Sequence, residues 1–260
     1  FAGGKGLNQS IAIAKAGGTV YHAGVVGEDG AILMDTLAKH GVDTRYVKHA
    51  AGPSGHTVIQ VSREAQNAIL LFGGSNGAVD EAYADRVLAQ FGAGDILLLQ
   101  NEISALPYIL EKAHARGMEI WLNPSPMNEN VLKCNLSLVS VFVLNEVEGE
   151  QLTGTKIPTA ILDKLLQKYP HAAAVLTLGS KGAWYAKEDK RAFAPAELVR
   201  AVDTTAAGDT FTGYFMRGML DGLSPKKSLT LAAKAAAIAV SRPGAAPSIP
   251  LYAEVMSERN

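Results

Sequence analysis

The sequence has little of several features that mark particular classes of protein. Its 260 residues include one cysteine, Cys134, which excludes an internal disulfide framework and a cysteine-based metal cluster. We interpret Cys134 as a small buried apolar residue. Lysine and arginine number 24 and aspartate and glutamate 25, so the formal net charge is −1, with no block of like charge. This balance argues against a protein that binds nucleic acid through phosphate contacts.

Long apolar segments are also missing. The longest, residues 232–240, is interrupted by Lys234 and is too short to cross a bilayer. We find no signal-peptide pattern, no internal repeat and no low-complexity linker, and we expect a cytoplasmic protein without membrane or nucleic-acid partners. The chain begins at Phe1, directly in a glycine-rich motif, so we expect the natural N-terminus to lie further upstream.

What the sequence does contain is a regular alternation of apolar and amphipathic segments. Hydrophobic residues make up 48% of the chain and charged residues 19%. Apolar strands separated by amphipathic helices predict a parallel sheet that helices cover on both faces. The predicted strands are 96–100, 119–122, 139–144 and 174–178, followed by a hairpin at 183–193 and an alanine-rich helix at 229–240.

The N-terminal third is less regular. The predicted elements there are a helix at 8–16, a strand at 19–27, a helix at 31–40, and two β-segments at 57–62 and 68–72 around a polar turn at 63–67. The two β-segments predict an antiparallel hairpin, and this hairpin is the only segment that looks like a separate appendage.

The most informative stretch is A-V-D-T-T-A-A-G-D-T-F-T-G, residues 201–213. Ala206, Ala207 and Gly208 have little or no side chain, so a ligand can approach their backbone closely. The helix that follows carries Asp209 in its first turn, where unpaired N–H groups suit a phosphate. Phosphoryl transfer to a hydroxyl requires such an anion-binding turn with a carboxylate that accepts a proton. The alternative is an N-capped helix after a tight turn, without catalysis.

A glycine-rich turn opens the chain, in the sequence F-A-G-G-K-G-L-N-Q. Lys5 and Asn8 would lie at the start of the helix that follows, as a donor pair suited to sugar hydroxyls. The alternative is a glycine turn before a helix with a solvated lysine. The motif is not a Walker phosphate loop, because the G-x-x-x-x-G-K-[ST] spacing is absent.

Polar residues also follow strand after strand of the predicted sheet. In an open α/β sheet, ligands bind at the carboxyl ends of the strands. Each of these residues alone is explained as a helix cap or a turn residue, but together they predict one ligand-binding cleft. They are Glu102, Asn123, Asn145, Glu146, Glu148, Thr177, Gly179, Ser180, Gly182, Asp203 and Asp209.

These motifs resemble those of the ribokinase-like (PfkB) carbohydrate kinases, and the resemblance covers nearly the whole chain. The motif at 203–213 is specific to that family, and the lysine of G-G-K-G points to its ribose-kinase branch. The matching stretches are G-G-K-G-L-N-Q at 3–9, N-P-S-P at 123–126, N-E-V-E-G-E-Q-L-T-G at 145–154, T-L-G-S-K-G at 177–182, D-T-T-A-A-G-D-T-F-T-G at 203–213 and A-A-A-I-A-V-S-R-P-G-A-A-P-S at 235–248.

The resemblance implies roles for the matching residues. Asp209 is the expected general base, and the backbone N–H groups of Ala206, Ala207 and Gly208 are expected to face the transferring phosphoryl group. Glu148 is expected to organise Mg²⁺ through water. The expected sugar-binding residues are Gly4, Lys5, Asn8, Glu102 and Asp209. The expected ATP-binding residues are Asn145, Thr177, Leu178, Gly179, Ser180, Lys181, Gly182 and Gly208. K⁺ is expected among Asp203, Thr205, Ala239, Arg242, Gly244 and Ser248.

The resemblance also implies the fold and the reaction. We expect one domain over residues 1–260 with the ribokinase-like three-layer α/β/α fold, a mostly parallel central sheet, and a partial β lid at 52–76 that forms a homodimer. The expected reaction is ATP-dependent phosphorylation of a small sugar, D-ribose on its 5-hydroxyl.

Two alternatives stay open. The first is a kinase for deoxyribose or another related sugar, and the second is a non-catalytic sugar- or nucleotide-binding regulator on the same fold. Intact Asp209 and Glu148 argue against the regulator. A nucleotide-dependent dehydrogenase is disfavoured, because G-x-G-x-x-G after the first strand of a βαβ unit is absent.

The front of the chain departs from the family pattern. Family members begin with a strand that carries a sugar-binding aspartate, followed by lid strands, whereas this chain enters the pattern at G-G-K-G. If that part is truly missing, one central strand and half of the lid are lost, and both sugar affinity and lid-mediated dimerisation are affected.

Overall fold

The computed structural model describes residues 1–61 and 67–257. Its strands are β1 (Tyr21–Val26), β2 (Asp43–His49), β3 (His56–Val61), β4 (Asn67–Phe72), β5 (Ile96–Gln100), β6 (Glu119–Asn123), β7 (Val141–Asn145), β8 (Ala173–Thr177), β9 (Ala183–Lys187) and β10 (Lys190–Ala194). Its helices are α1 (Lys5–Lys15), α2 (Ala31–Lys39), α3 (Glu81–Leu88), α4 (Leu106–Ala115), α5 (Glu129–Leu132), α6 (Glu146–Thr153), α7 (Pro158–Lys168), α8 (Ala207–Leu220), α9 (Pro225–Val240) and α10 (Tyr252–Met256).

A six-stranded sheet forms the centre of the molecule, in the order β10-β9-β8-β7-β6-β5. Strands β5 to β8 are parallel, and β9 and β10 are antiparallel to their neighbours. The parallel strands are apolar apart from their end residues, because helices pack on both faces of the sheet. The predicted three-layer fold with a mostly parallel sheet is therefore confirmed.

Alternate residues of the central strands pack into two different cores, as the two-residue period of a strand requires. Ile120, Leu122, Phe142 and Leu144 lie against helices α3, α4 and α7. Trp121, Val141, Val143 and Val175 lie against α8 and α9 on the opposite face. Burial of each such large apolar side chain contributes about 1.5–3 kcal/mol relative to exposure, so the sheet is the main stabilising element.

Helix α1 packs very closely on α8, and one glycine makes this possible. A Cβ at Gly213 would lie 2.5 Å from the Cβ of Ala12, which is too short for two real carbon atoms. The two helices therefore cross at Gly213 and Ala12 with their backbones in near contact. One turn earlier on each helix lie Asp209 and the pair Asn8 and Gln9, which this crossing holds side by side.

Strands β1 and β2 form a separate two-stranded parallel sheet. The sequence reading missed β2, because Asp43–His49 is mostly polar and only partly buried. Tyr83 of α3 joins this small sheet to the rest of the molecule, since its hydroxyl donates to the carbonyls of Gly24 at 3.1 Å and Tyr46 at 2.5 Å.

Strands β3 and β4 form the predicted antiparallel hairpin, in a register that runs from His56 opposite Phe72 to Val61 opposite Asn67. The predicted turn around residues 63–66 lies outside the described residues. Val58, Leu70, Leu71 and Phe72 are at least half exposed, so the described part of this hairpin presents apolar side chains to solvent. Among the described helices, none has the length and apolar character needed to cross a membrane.

Candidate active site

A cavity of about 230 Å³ opens where the carboxyl ends of β6, β7 and β8 meet the first turns of α1 and α8. Five of the eleven polar residues predicted to meet in one cleft line this cavity, namely Asn123, Asn145, Glu148, Thr177 and Asp209, and the other six do not. The cavity is lined by Lys5, Asn123, Ser125, Val143, Leu144, Asn145, Glu148, Thr177, Thr204, Ala206, Gly208, Asp209 and Thr212.

The turn that begins α8 combines a strained residue with open backbone donors. Ala206 caps the helix in the left-handed conformation, with φ at 60°, and its carbonyl accepts the N–H of Thr210 at 2.8 Å. The N–H of Ala207 donates to the carbonyl of Thr204 at 3.2 Å, so this predicted phosphoryl donor is used within the turn. No acceptor in the described chain pairs with the N–H groups of Gly208 and Asp209. These two amides and the helix dipole favour an anion at this point.

The carboxylate of Asp209 is buried and held by two amide side chains of α1. Asn8 donates through Nδ2 to Oδ2 of Asp209 at 2.9 Å, and Gln9 donates through Nε2 to Oδ1 at 2.9 Å. Asp209 is 8% exposed. Burial raises the pKa of Asp209 above its ordinary value, while the charge of Lys5 and the two amide donors act in the opposite direction. The arrangement supplies a fixed proton acceptor that is more basic than a solvated aspartate.

The predicted sugar-binding residues lie together at the N-terminal end of α1. Helix α1 begins at Lys5, three residues earlier than predicted, after Gly4 with φ at 104°. The backbone N–H of Lys5 donates to Oε2 of Glu102 at 2.9 Å, which is a favourable place for a carboxylate. Burial raises the pKa of Glu102; the N–H and charge of Lys5 oppose this effect, and the nearby charge of Asp209 adds to it. Gly4, Lys5, Asn8, Glu102 and Asp209 thus form one group.

Across the cavity, the N-x-x-E motif closes the first turn of α6. Asn145 accepts the N–H of Glu148 at 2.9 Å, and Glu148 accepts the backbone N–H of Asn145 at 3.0 Å and its Nδ2 at 3.1 Å. This reciprocal capping explains the motif without a ligand. Both residues also line the cavity, and Glu148 is 5% exposed.

The donor set at this end of the cavity fits Mg²⁺ held mainly by phosphates and water. The described residues contain no group of three or more histidine, cysteine, aspartate or glutamate side chains that would hold a metal ion. Mg²⁺ at nucleotide sites is commonly bound through one or two carboxylates together with substrate phosphates. Glu148 supplies one such carboxylate in the cavity wall.

The predicted ATP loop at 177–182 is only partly in the cavity. Thr177 lines it, whereas Leu178 is buried in the hydrophobic core with Leu144 and Leu176. Gly179–Lys181 form an exposed 3-10 turn. A Cβ at Gly182 would lie 2.2 Å from the carbonyl oxygen of Ala194, so close chain packing already requires glycine there. The exposed turn offers a surface next to the cavity rather than part of its wall.

Three of the predicted K⁺ residues are in direct contact. Asp203 accepts the N–H and the hydroxyl of Thr205 at 2.9 and 2.6 Å, and its second oxygen accepts the N–H of Gly244 at 2.9 Å. These hydrogen bonds lower the pKa of Asp203. The Ala239 carbonyl accepts the N–H of Arg242 at 3.0 Å in the turn that ends α9.

Ser248 and Arg242 complete this region. The Ser248 hydroxyl donates to the Ala245 carbonyl at 2.8 Å, and the Arg242 side chain pairs with Glu254. The side chain of Arg242 therefore points to Glu254, and only its backbone oxygen is a candidate cation ligand. The donor set is made of carbonyl, hydroxyl and carboxylate oxygens, which are the ligands that K⁺ takes in proteins.

The sequence reading missed two residues behind the site, Gln9 and Gln100. Gln9 is 1% exposed and contacts Asp209 and Asn123. Gln100 donates to Gln9 from the last position of β5. The only sequence signal for Gln9 was its place in the G-G-K-G-L-N-Q motif, next to Asn8.

Comparisons with known proteins define the class to which this fold and site belong. The model of the pfkB family carbohydrate kinases matches residues 1–251, and the chain belongs to that family. It is 37% identical to a ribokinase of Schizosaccharomyces pombe over 97% of this chain and 85% of the relative. It is 30% identical to a deoxyribokinase of Salmonella typhi over 95% of this chain and 84% of the relative. It also superposes on the structure of Arabidopsis thaliana ribokinase complexed with ribose and ATP, with a TM-score of 0.84 and 29% identity over 98% of this chain and 86% of that chain.

Proposed function

We propose that this protein transfers the γ-phosphoryl group of ATP to the 5-hydroxyl of D-ribose, giving ribose 5-phosphate and ADP. The observation that carries the proposal is the buried Asp209 carboxylate next to the open amides of Gly208 and Asp209, inside the cavity. Similarity to ribokinases, one of them bound to ribose and ATP, supports the choice of both substrates.

In the proposed reaction, Asp209 acts late. The sugar hydroxyl is a much weaker acid than a carboxylic acid, so Asp209 does not remove its proton beforehand. As the hydroxyl oxygen bonds to the γ-phosphorus, the bond between that phosphorus and the ADP oxygen breaks and the proton passes to Asp209. A loose transition state allows this order of events. The raised pKa of Asp209 makes it a better acceptor at that moment.

The remaining residues bind and orient the reactants. The amides of Gly208 and Asp209 are placed to donate to the transferring phosphoryl oxygens. Lys5 lies in the cavity wall, Glu102 accepts its backbone N–H, and Asn8 donates to Asp209. Lys5, Asn8 and Glu102 would offer donors and acceptors to the sugar hydroxyls, and Gly4 would allow close approach. Asn145 and the 177–182 loop would bind the nucleotide. Mg²⁺, which when bound neutralises phosphate charge, would be held near Glu148 through water.

Three further properties belong to the same proposal. K⁺ would bind between the turns at Asp203 and Gly244 and fix the backbone geometry of residues 203–209. The apolar side chains that the β3–β4 hairpin exposes would pack against a second copy, giving a homodimer through the lid. We place the protein in the cytoplasm, where ATP and Mg²⁺ are available.

A second candidate substrate is deoxyribose, because a deoxyribokinase is 30% identical to the chain. The two sugars differ by one hydroxyl group. A site built to hydrogen-bond that group discriminates strongly against the sugar that lacks it.

A coupled assay of ADP release tests the proposal. The full chain is given ATP, Mg²⁺ and K⁺ with each member of a panel of pentoses and hexoses that includes ribose and 2-deoxyribose. We expect the highest kcat/KM with ribose. A higher kcat/KM with 2-deoxyribose would identify that sugar as the substrate in place of ribose. If ADP release does not depend on any sugar, the kinase proposal is contradicted.

Replacing K⁺ by a large organic cation should lower the rate, and an unchanged rate would contradict the cation site.

A further inference from the structure

We infer that Gln9 is a positioning residue that holds the carboxylate of Asp209 in one orientation for proton transfer. The inference rests on the proposed role of Asp209 as the general base. Gln9 is 1% exposed and its side-chain amide is bonded on all sides to protein groups, whereas Asp209 lines the cavity. Gln9 therefore acts through Asp209 and not by touching a substrate.

Both N–H groups and the carbonyl oxygen of the Gln9 side-chain amide have hydrogen-bond partners. One N–H donates to Oδ1 of Asp209 at 2.9 Å and the other to Oδ1 of Asn123 at 3.2 Å. Its carbonyl oxygen accepts from Nε2 of Gln100 at 2.6 Å. A reversed amide would turn an oxygen toward the carboxylate and a nitrogen toward the donor of Gln100. The network therefore fixes the amide with its nitrogen toward Asp209.

These contacts connect Asp209 to the rigid centre of the fold. Asn123 ends β6 and donates through Nδ2 to the carbonyl of Val143 in β7 at 2.8 Å. Gln100 ends β5. Gln9 thus attaches the carboxylate to the ends of β5 and β6, and through Asn123 to β7, although it is carried by a helix. Asn8 makes the second contact with Asp209, but its own Oδ1 has no hydrogen-bond partner among the described residues.

The Gln9 contact has a consequence for pH dependence. A donor that bonds to the ionised form of a carboxylate stabilises that form. The hydrogen bond from Gln9 therefore opposes the rise in the pKa of Asp209 that burial causes. Of the other groups around this carboxylate, Lys5 and Asn8 act in the same direction as Gln9, whereas the carboxyl group of Glu102 lies near enough for the two negative charges to interact. Without Gln9, Asp209 would be protonated at a higher pH.

The variant Gln9→Met tests the inference, because methionine has a similar length and no strong donor. We expect kcat to fall about 10- to 100-fold, as for the loss of a hydrogen bond to a charged group, with the KM for ATP within about twofold. We also expect the acid limb of the pH profile to move to higher pH. Gln9→Leu, a second apolar variant, is measured should Gln9→Met fail to fold. Leucine also lacks a donor and, unlike glutamate, does not set a second carboxyl group against Asp209, so the acid limb should move in the same direction.

Ser10→Ala is the matched control. Ser10 is the next residue of α1 and is also buried. The variant loses one partly buried hydrogen bond, to Nδ1 of His22 at 2.8 Å, and no hydrogen bond to Asp209. The acid limb of the Ser10→Ala variant should lie at the same pH as that of the parent protein, and its kcat should be within about threefold of the parent value. Equal losses in the Gln9 and Ser10 variants, with neither acid limb moved, would overturn the inference.

Asp209→Asn, measured in parallel, separates the two proposals. If this variant keeps its turnover, the general-base role fails and the inference about Gln9 fails with it. If it abolishes turnover while the acid limb of the folded Gln9 variant stays in place, only the inference about Gln9 fails.

Discussion

At the Asp209 end of the cavity the functional side chains are buried and bonded to other protein groups, whereas at the 179–181 end the chain is a turn exposed to solvent. Asp209 is 8% exposed and its carboxylate accepts from two amides. The side chain of Lys181 is 73% exposed and lies 3.6 Å from Glu146. The two ends are about equally well marked in the sequence, because each carries a glycine-containing motif.

This difference in burial determines how strongly the side chains at each end of the cavity can act on a ligand. In the buried end, low dielectric strengthens each charge interaction and hydrogen bond, and the loss of solvation raises the pKa of both Asp209 and Glu102. In the exposed turn, water and salt screen side-chain charges, so contact with a ligand depends mainly on the backbone. Substitutions should therefore have large effects at the first end and small effects at the second.

The largest effect is expected for Asp209→Asn. Loss of the proton acceptor should lower kcat by about 10³-fold, while ATP binding measured by calorimetry stays close to that of the parent protein. In the parent, kcat/KM should fall on the acid side at a pH above the ordinary range of aspartate, because Asp209 is inactive when protonated and burial raises its pKa. An acid limb at or below the pKa of a solvated aspartate would remove the contrast between the two ends.

Glu148→Gln should have the next largest effect. This variant keeps the shape of the side chain but removes the negative charge near the proposed Mg²⁺, so the Mg²⁺ concentration for half-maximal rate should rise about 10- to 100-fold. The sugar KM should change little. Glu146→Gln, at a half-buried carboxylate of the same helix that does not line the cavity, is the control and should leave the Mg²⁺ dependence unchanged. Equal behaviour of the two variants would count against a role for Glu148.

Lys5→Ala should have an intermediate effect that falls on the sugar. The lysine charge lies near Asp209 and Glu102, and its removal should raise the KM for ribose about 10-fold and the KM for ATP much less. Because the charge of Lys5 lowers the pKa of Asp209, the acid limb should also move to higher pH. Steady-state rates with each substrate varied in turn will show this, and an effect on ATP alone would contradict the assignment of Lys5 to the sugar.

The smallest effect is expected for Lys181→Ala. The side chain is exposed and its ion pair with Glu146 is 3.6 Å long, so the variant should change the KM for ATP by less than about threefold. A loss of ten times or more would show that the exposed turn binds the nucleotide through this side chain, and the two ends of the cavity would then be alike.

Much of the fold could be read from the sequence because its strands are apolar throughout. A run such as Val141–Asn145 is apolar and buried up to its last residue because helices cover both faces of the sheet. The strand Asp43–His49 was missed for the opposite reason, since only part of it is covered and its sequence is mostly polar. The start of α1 was predicted late, because the glycines before Asn8 suggested a longer turn.

The sequence by itself determined the family motifs, the alternating layers and the identity of Asp209 as the candidate base, because these depend on local patterns of burial, turn and helix start. Only the tertiary structure decided that Gln9 lies against Asp209, 200 positions away along the chain. That contact depends on the crossing of two helices at Ala12 and Gly213, where the absence of a side chain lets their backbones meet. The sequence shows that residue 213 is a glycine, but it does not predict which helix packs against that glycine.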